Sequence, residues 1–402
     1  VLIGASGDRS NITFGLEYDS RDPIFDADRA YTAARWADLD GDGEILGGVE
    51  TVGVSAYGYS LINPNYNGLP VDPNDENTWA IHPGGGCESV PSGEGDGFVG
   101  VLNADYNFGR GSGYYCGYAY ALVSANRAGI DRLNSWVSAE YELTNHIDLY
   151  ADVLYSNNES FGRYAPPAAP GPTIPGDPRN TVGATYGYFR WTDIGFRDNV
   201  VNDYLTDINL GARGDLFSGN VTWEAYYTYS EYKSVSVGQY YLSYGGLEYN
   251  INYDITDFDQ FVANIKTTTL NDDRQKLQKV FGGFQFDLFE LPGGTSSMYA
   301  VAEYFKIDYA ALVDAQSEAG LVGGSAGNSA VGKRDVTAVF AEAIFPIVDW
   351  FELDAAIRYD DYSDFGSATT WRLGGIMPVP GYEQLKFKAS VGTGFRAPDL
   401  SD

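Results

Sequence analysis

Strict two-residue alternation near the end of the chain constrains the fold more than any other feature. Between Phe351 and Tyr359, apolar or aromatic residues hold every odd position, and charged residues hold most even positions. The segment 385–391 repeats the pattern, with Lys386 and Lys388 standing between apolar residues. A period of two places alternate side chains on opposite sides of an extended chain, so these segments are predicted to be β-strands with one apolar and one wet face.

The same alternation recurs along the chain in hairpins. The predicted strands are 11–20, 132–143, 147–155, 204–216, 221–229, 279–289, 298–309, 336–347, 351–359, 369–377 and 385–394. The connections are predicted to be short at one end and long at the other, in strict alternation, and Tyr and Trp cluster near the strand ends. These features favour an all-β, antiparallel transmembrane barrel with long extracellular loops. The alternative is a large soluble β-sandwich.

Composition limits the partners and the class of protein. The 402 residues include 25 Lys and Arg against 55 Asp and Glu, a net charge of −30, which argues against a nucleic-acid partner. No run approaches the eighteen apolar residues of a transmembrane helix. The chain begins and ends within its strand pattern, so we expect it to be an internal piece of a longer protein.

Two cysteines, Cys87 and Cys116, lie in a polar stretch rich in Gly and Pro. Two cysteines within one long loop predict a single disulfide and an oxidising compartment. The alternative is a pair of unrelated free thiols.

Two segments carry a resemblance to a known family. The run Ile357–Gly366, followed by a strand and then by Lys388–Pro398, resembles the barrel of TonB-dependent receptors. The second run contains the motif Gly394, Phe395, Arg396, Ala397 and Pro398. The hairpin 132–155, which follows Cys116, is similar to receptors of this family that have a long, disulfide-closed early loop.

The resemblance implies a barrel of 22 strands in the bacterial outer membrane, closed by an N-terminal plug. Residues 1–402 are then expected to form part of that barrel, and residues 21–131 to form a long extracellular loop region within it. The plug, the TonB box and the strands expected after residue 402 are not found in this sequence. The implied partners are a TonB–ExbB–ExbD complex acting through the plug, outer-membrane lipid and a small nutrient ligand.

The function implied by the resemblance is active import of a scarce nutrient, with an iron–siderophore complex as the first cargo. Cobalamin, oligosaccharides and peptides remain open as other cargoes. A passive porin or structural barrel, and a secreted β-rich glycan-binding module, remain open as other functions. Arg396 is expected to have a structural role in the lumen, pairing with a carboxylate of the plug or the barrel.

A cluster of carboxylates in the early loop resembles the first half of a Ca²⁺-binding loop. Asp38, Asp40 and Asp42 occupy positions 1, 3 and 5, and Gly43 follows at position 6. The twelfth position, where such a loop has a glutamate, is Val49, and Glu50 follows one residue later. The sequence therefore predicts either a structural Ca²⁺ in this loop or a flexible acidic turn, and no other cofactor.

Aromatic side chains in the long loops are candidates for stacking against a ligand, although such residues also pack loops upon themselves. The candidates, with one histidine, are Trp36, Tyr57, Tyr59, Trp79, His82, Tyr114, Tyr115, Tyr240, Tyr241, Tyr244 and Tyr249. A single loop histidine gives little support for haem ligation. The sequence contains neither a Gly-x-Ser-x-Gly elbow nor a phosphate loop, so we expect no enzyme.

Overall fold

The computed structural model describes residues 1–32, 35–36, 51–52, 55–62, 79–80, 98–103, 113–177, 180, 183–379 and 381–401. Within this part of the chain, no helix is both long and apolar enough to cross a bilayer. Most of the described residues belong to β-strands, which confirms the all-β class.

One antiparallel sheet contains the longest strands, and strands that neighbour each other in its order are hydrogen-bonded in the sheet. Its main path, among the described residues, contains twelve strands: β1 Leu2–Ser6, β2 Ser10–Arg21, β3 Gly129–Thr144, β4 Ile147–Tyr164, β5 Arg197–Leu216, β6 Val221–Ser243, β7 Lys266–Leu291, β8 Gly294–Val313, β9 Ala330–Val348, β10 Phe351–Tyr362, β11 Gly366–Val379 and β12 Tyr382–Gly392. A short strand, Val322–Gly323, also pairs with the end of β6. Sequence alternation predicts eleven of the twelve and misses β1, whose five side chains are all exposed.

The sheet has two chemically different faces. On β10, Ile357 is 54% exposed on one face, whereas Asp360 is 5% exposed on the other. We call the face that carries Ile357 the outer face and the face that carries Asp360 the inner face. Soluble proteins bury large apolar side chains and leave carboxylates exposed. The reversal seen here is that of a barrel wall whose apolar side faces lipid and whose polar side faces the lumen.

Several strands are longer than the sequence alternation predicts. β6 extends to Ser243 and β7 begins at Lys266, so much of the region 233–272, predicted to be a polar loop, is strand. A tilted strand crosses a bilayer in about 9–11 residues. The remaining residues continue the hydrogen-bonded ladder on the long-loop side, where both faces meet polar surroundings. Charged residues such as Glu231 and Lys233 occupy outward positions there, so the hydrophobic alternation is broken and the sequence does not reveal these extensions.

The prediction of strictly alternating short and long connections is wrong at one point. Between β10 and β11, at the long-loop end, only Ser363, Asp364 and Phe365 connect the strands. Arg334 of β9 lies 2.7 Å from Asp364, and the Tyr362 and Phe365 rings stack with their centroids 4.4 Å apart. These contacts stabilise a tight turn where the sequence predicts a longer connection.

The long connections contain strands of their own. A six-stranded sheet contains Ser55–Ile62, Trp79–Ala80, Phe98–Asn103, Gly113–Tyr118, Ala168–Pro172 and Tyr186–Arg190. Two strand pairs join Ile24–Phe25 to Ala125–Arg127 and Arg35–Trp36 to Thr51–Val52. The connection between β2 and β3 therefore shares a sheet with the connection between β4 and β5, and we call these connections and the helices beside them the loop layer.

The helices of the described residues also lie in long connections. They are α1 Tyr244–Asn252, α2 Phe258–Ile265 and α3 Ala315–Glu318, with 3-10 turns at Asp26–Asp28, Tyr120–Leu122 and Thr192–Ile194. α1 begins after Ser243, whose hydroxyl accepts a hydrogen bond from the Gly246 amide at 3.0 Å. α2 begins after Asp257, which accepts from the Gln260 amide at 2.8 Å. Such side-chain caps satisfy amides that have no partner within the helix.

The loop layer has a hydrophobic core. Its buried members are Tyr118, Ala165, Ala169, Ile174, Ala184, Phe189, Trp191, Ile194, Leu242, Leu247, Phe261 and Ile265. Trp191 is 1% exposed and donates from its indole nitrogen to the carbonyl oxygen of Ala169 at 3.3 Å. A Cβ on Gly171 would lie 2.7 Å from the same ring, so only glycine lets the strand approach it. This core connects α1 and α2 to the strands of the long connections.

Candidate functional site: the inner face and the loop layer

A network of charges crosses the inner face at the level of the outer apolar band. Glu303 of β8 lies 2.5 Å from the Lys279 ammonium of β7 and 2.6 Å from the Arg358 guanidinium of β10. Arg358 also lies 2.7 Å from Asp360. The side chains of Glu303 and Asp360 are each 7% exposed. A buried charge needs a partner and hydrogen bonds to offset its lost hydration, so the network holds these four side chains in place.

Charged residues continue along the inner face in both directions from this network. Arg372 of β11 contacts Asp354 at 2.7 Å and Glu342 at 3.1 Å. On the other side, Arg213 of β5 contacts Glu140 of β3 at 2.9 Å. The inner face therefore presents a polar wall across most of the sheet, which suits contact with water, a polar ligand or a polar protein surface.

An aromatic pair lies within this polar wall. The Tyr226 ring of β6 stacks on the Phe281 ring of β7 with the centroids 4.4 Å apart. The Lys279 ammonium lies 5.8 Å from the first ring centroid and 5.4 Å from the second. Nearby, the Tyr150 hydroxyl donates to Glu224 at 2.7 Å. Stacked rings beside a cation and hydrogen-bonded carboxylates can contact a planar or polar ligand surface.

Of the four candidate tyrosines whose side chains are described, two pack into the protein. Tyr241 is 7% exposed, and its hydroxyl donates to Asn199 at 3.0 Å. Tyr240 has a φ of 62°, and a Cβ on Gly195 would lie 3.2 Å from its ring. The Lys266 ammonium lies 5.3 Å from the same ring centroid. Tyr244, at the start of α1, is 39% exposed and remains open to a ligand.

Sequence reasoning names only part of an aromatic surface at α1, because Tyr249 is among its candidates and Tyr253 is not. Tyr249 and Tyr253 are 46% and 66% exposed, and their ring centroids are 4.6 Å apart. They stand four residues apart, a spacing that brings side chains together on a helix. That spacing is visible in the sequence, but the polar composition of the segment predicts a loop. With Tyr244, these residues give the loop layer an exposed aromatic surface.

A buried and a half-buried arginine lie where the loop layer meets the barrel. Arg190 is 7% exposed, donates to the Pro166 carbonyl oxygen at 3.0 Å and lies over the Tyr118 ring at 5.1 Å. Burial, helped by the positive charge of Arg197, lowers the pKa of Arg190 to about 10. Arg197, at the loop end of β5, donates to the Ala165 carbonyl oxygen at 2.8 Å. Both arginines hold the segment that follows β4, and no sequence motif marks them.

The backbone places several other candidates in one sheet. Tyr57 and Tyr59 lie in Ser55–Ile62, Tyr114, Tyr115 and Cys116 lie in Gly113–Tyr118, and Trp79 lies in Trp79–Ala80. Tyr59 is the register partner of Cys116. Trp36 lies in a separate strand pair. Asp38, Asp40, Asp42, His82 and Cys87 lie outside the described residues, so the Ca²⁺ site and the disulfide remain predictions.

The predicted motif Gly394–Pro398 follows β12. The Phe395 ring packs against Phe365 and Tyr362, with centroid distances of 5.8 Å to each. The Arg396 side chain is 86% exposed, and its nearest carboxylate is Asp399 of the same segment, at 3.4 Å. The structure thus places Phe395 against the 363–365 turn, and pairs Arg396 within its own segment rather than with a barrel strand.

Comparisons with known proteins agree with this architecture. Residues 140–402 match the model of a family described as TonB dependent receptor-like, beta-barrel. The chain is 37% identical over 70 residues to the vitamin B12 transporter BtuB of Photobacterium profundum and 40% identical over 95 residues to that of Vibrio vulnificus. These alignments cover 17% and 23% of this chain, but only 11% and 15% of the relatives.

Solved structures with some likeness to the chain include the RagAB peptide transporter, with a TM-score of 0.45 and 14% identity. The match covers 66% of this chain and 33% of that one. A RagAB peptide importer in the closed-closed state gives a TM-score of 0.42 and 12% identity, with the same coverage of both chains. Because the family model covers well over half of the sequence, the chain belongs to the TonB-dependent receptor family and forms part of its antiparallel barrel in the bacterial outer membrane.

Proposed function

We propose that this chain is part of a receptor that imports a scarce nutrient across the outer membrane, driven through TonB by the ExbB–ExbD complex. The observation that carries the proposal is the polar inner face, which continues without interruption towards a folded loop layer. A barrel wide enough for a large nutrient must be plugged against leakage. Moving such a plug requires work supplied from another membrane.

We propose that residues 1–402 form part of a 22-stranded barrel and that residues 21–131 belong to its extracellular loop region. A plug from the same receptor would lie against the inner face. The network of Lys279, Glu303 and Arg358 supports this placement, because it offers fixed polar groups on β7, β8 and β10. The family consists of transporters, and we propose no enzymatic activity for this chain.

Cobalamin is the cargo we place first. Two relatives that align with this chain carry the name vitamin B12 transporter, and they share 37% and 40% identity over the aligned segments. An iron–siderophore complex is the second candidate, and an oligosaccharide is the third. The exposed aromatic surface formed by Tyr244, Tyr249 and Tyr253 suits all three, because each cargo has apolar faces that can stack on rings.

The test is uptake by a strain that lacks the receptor and carries the full-length gene on a plasmid. We expect the wild-type gene to restore uptake of labelled cyanocobalamin, and a protonophore to abolish it. Uptake of a ferric siderophore but not of cyanocobalamin would identify an iron complex as the cargo. Uptake that persists with the protonophore would favour the passive-porin alternative. Uptake of neither compound would exclude the first two cargoes, and failure of labelled oligosaccharides as well would contradict the proposal.

A variant pair tests the aromatic surface. Y249A/Y253A removes two exposed rings from α1 and is expected to weaken cargo binding about tenfold, as loss of an aromatic anchor does at other interfaces. Tyr31→Ala is the matched control, because Tyr31 is 71% exposed and lies in another connection. Equal affinity of both variants for the cargo would exclude the α1 surface.

We also retain the Ca²⁺ site at Asp38, Asp40 and Asp42 and the disulfide between Cys87 and Cys116 as proposals. Labelling of free thiols before and after reduction, and calorimetry with CaCl₂ on the extracted receptor, test the two separately.

A further inference from the structure

The outer face changes character abruptly along the strands. On β7, the outward positions Val280, Gly282 and Phe284 are apolar or small, whereas Gln278, Lys276 and Arg274, towards the long-loop end, are polar or charged. On β8, Tyr304 marks the same boundary, and Lys306 follows two residues later, about 7 Å further along the strand. Exposed aromatic residues such as Tyr304 and Tyr227 are typical of the membrane interface.

Just beyond this aromatic boundary, charged residues cover the outer face of four neighbouring strands. We call this set the outer charged patch: Glu231, Lys233, Asp272, Arg274, Lys276, Lys306, Asp308, Lys333 and Asp335. It holds five of the chain's 25 basic residues but only four of its 55 acidic residues. On a chain with a net charge of −30, a patch with a net charge of +1 is an unusual concentration of cations.

The carboxylates of the patch already have partners. Glu231 pairs with Arg274, Asp308 lies 3.3 Å from Lys333, and Asp272 lies 4.0 Å from Lys233. Asp335 is the register partner of Lys306 on β9, but its carboxylate accepts a hydrogen bond from the Tyr304 hydroxyl at 2.9 Å.

Two lysines of the patch face carboxylates that are already engaged elsewhere: Glu231, the register partner of Lys276, pairs with Arg274, and Asp335, the register partner of Lys306, accepts from Tyr304. Among the described residues, neither Lys276 nor Lys306 has a carboxylate within ion-pair distance. Lys276 lies over the Tyr229 ring at 5.2 Å. Lys276 is opposite Asp308 and Lys306 is opposite Gln278, so the two lysines are diagonal neighbours on adjacent strands. Diagonal neighbours are close enough for two long side chains to reach one group between them.

We propose that Lys276 and Lys306 bind a phosphate group on the headgroup of an outer-leaflet lipid. The position fits the chemistry, because the ammonium groups stand immediately beyond the apolar band, where headgroups begin. Lipid phosphates carry the negative charge that would give each lysine an ion pair of its own. The pairing would anchor the barrel at a defined depth, independently of the cargo that it carries.

The experiment uses the full-length receptor extracted in detergent and native mass spectrometry of bound lipid. The probes are a bis-phosphorylated lipid A and the same lipid with both phosphates removed. We expect the wild type to retain the phosphorylated lipid, and K276Q/K306Q to reduce its occupancy about tenfold. K276R/K306R should retain binding, which separates charge from side-chain packing.

The matched control is K386Q/K388Q, which removes the same charge from the inner face of β12, where alternation places both lysines. Folding of every variant is checked by heat-modifiable mobility on gels. Equal retention of the two lipids, equal loss in both glutamine variants, or competition by millimolar inorganic phosphate without lipid specificity would overturn the proposal. None of these outcomes depends on whether cobalamin or iron is the cargo.

Discussion

The membrane-level strands and the loop layer bury opposite kinds of residue. In the membrane-level part, Ile357 is 54% exposed and Asp360 is 5% exposed, on opposite faces of one strand. In the loop layer, Trp191 is 1% exposed in an ordinary hydrophobic core. The difference follows from the solvent, since lipid replaces water on one face of the strands and removes the penalty for exposing apolar groups. The same chain therefore buries polar residues on the inner face of its membrane-level strands and apolar residues in its loop layer.

The largest effect is expected from emptying the loop-layer core. Trp191→Ala removes a buried indole and is expected to reduce the local stability of the loop layer by about 4 kcal/mol. Because this core is separate from the membrane-level strands, the barrel should remain folded. Limited proteolysis should show faster cleavage in the connections, with unchanged heat-modifiable mobility. Tyr186→Ala, at a 39% exposed position, serves as the control. Simultaneous unfolding of the barrel would show that the two regions are not independent.

A somewhat smaller effect is expected from breaking the charge network on the inner face. Glu303→Ala leaves Lys279 and Arg358 without their shared partner, and we expect a loss of about 3 kcal/mol in the free energy of unfolding. Glu140→Ala breaks the more exposed pair with Arg213 and should cost less than about 1 kcal/mol. Urea unfolding in lipid vesicles measures both. Equal losses would mean that burial does not distinguish the two pairs.

A charge on the outer face locates the edge of the lipid. Val339→Arg, in the apolar band of β9, should cost about 2–4 kcal/mol of stability, whereas the cost should fall below about 1 kcal/mol near or beyond the interface. Val331→Arg is the matched change, because it lies on the same face of the same strand and is 71% exposed. If both variants unfold at the same urea concentration as the wild type, the outer face does not contact lipid.

The smallest effect concerns the 363–365 turn and depends on pH. Hydrogen bonds from Arg334 hold the pKa of the Asp364 carboxyl below its ordinary value of 3.8. A carboxyl with a lowered folded pKa stabilises the protein above its unfolded pKa and loses that contribution as the pH falls through the folded pKa. Asp364→Asn should therefore lower the thermal midpoint slightly at pH 7, and the difference should shrink as the pH falls below 3.8 and vanish once the folded carboxyl is protonated. A difference that persists under those acidic conditions would assign the effect to packing.

The extent of the strands shows where prediction from sequence ends. Alternation predicts the start of β10 correctly and its end within three residues, because every second side chain must suit lipid. It identifies only part of β6 and β7, because beyond the membrane both faces are polar and no alternation is required. For the same reason the pattern predicts a loop where α1 lies, although Tyr249 and Tyr253 have helical spacing.

The candidate site also has a part that the sequence predicts and a part that only the structure shows. Sequence placed the motif around Phe395 and the alternating faces of the strands, since both depend on residues close together in the chain. It could not place Glu303 between Lys279 and Arg358, nor the two diagonal lysines, Lys276 and Lys306. Those neighbours are brought together by the register of separate strands.

The amino-acid order alone determined that this chain forms antiparallel strands with one apolar and one polar face, because a period of two leaves no other arrangement in lipid. The tertiary structure decided which charges meet, how far the strands extend beyond the membrane, and that the long connections share one hydrophobic core. These outcomes depend on strand register and on packing between segments more than a hundred residues apart, since Tyr118 and Phe261 belong to one core. The local sequence pattern does not indicate which distant segments pack together.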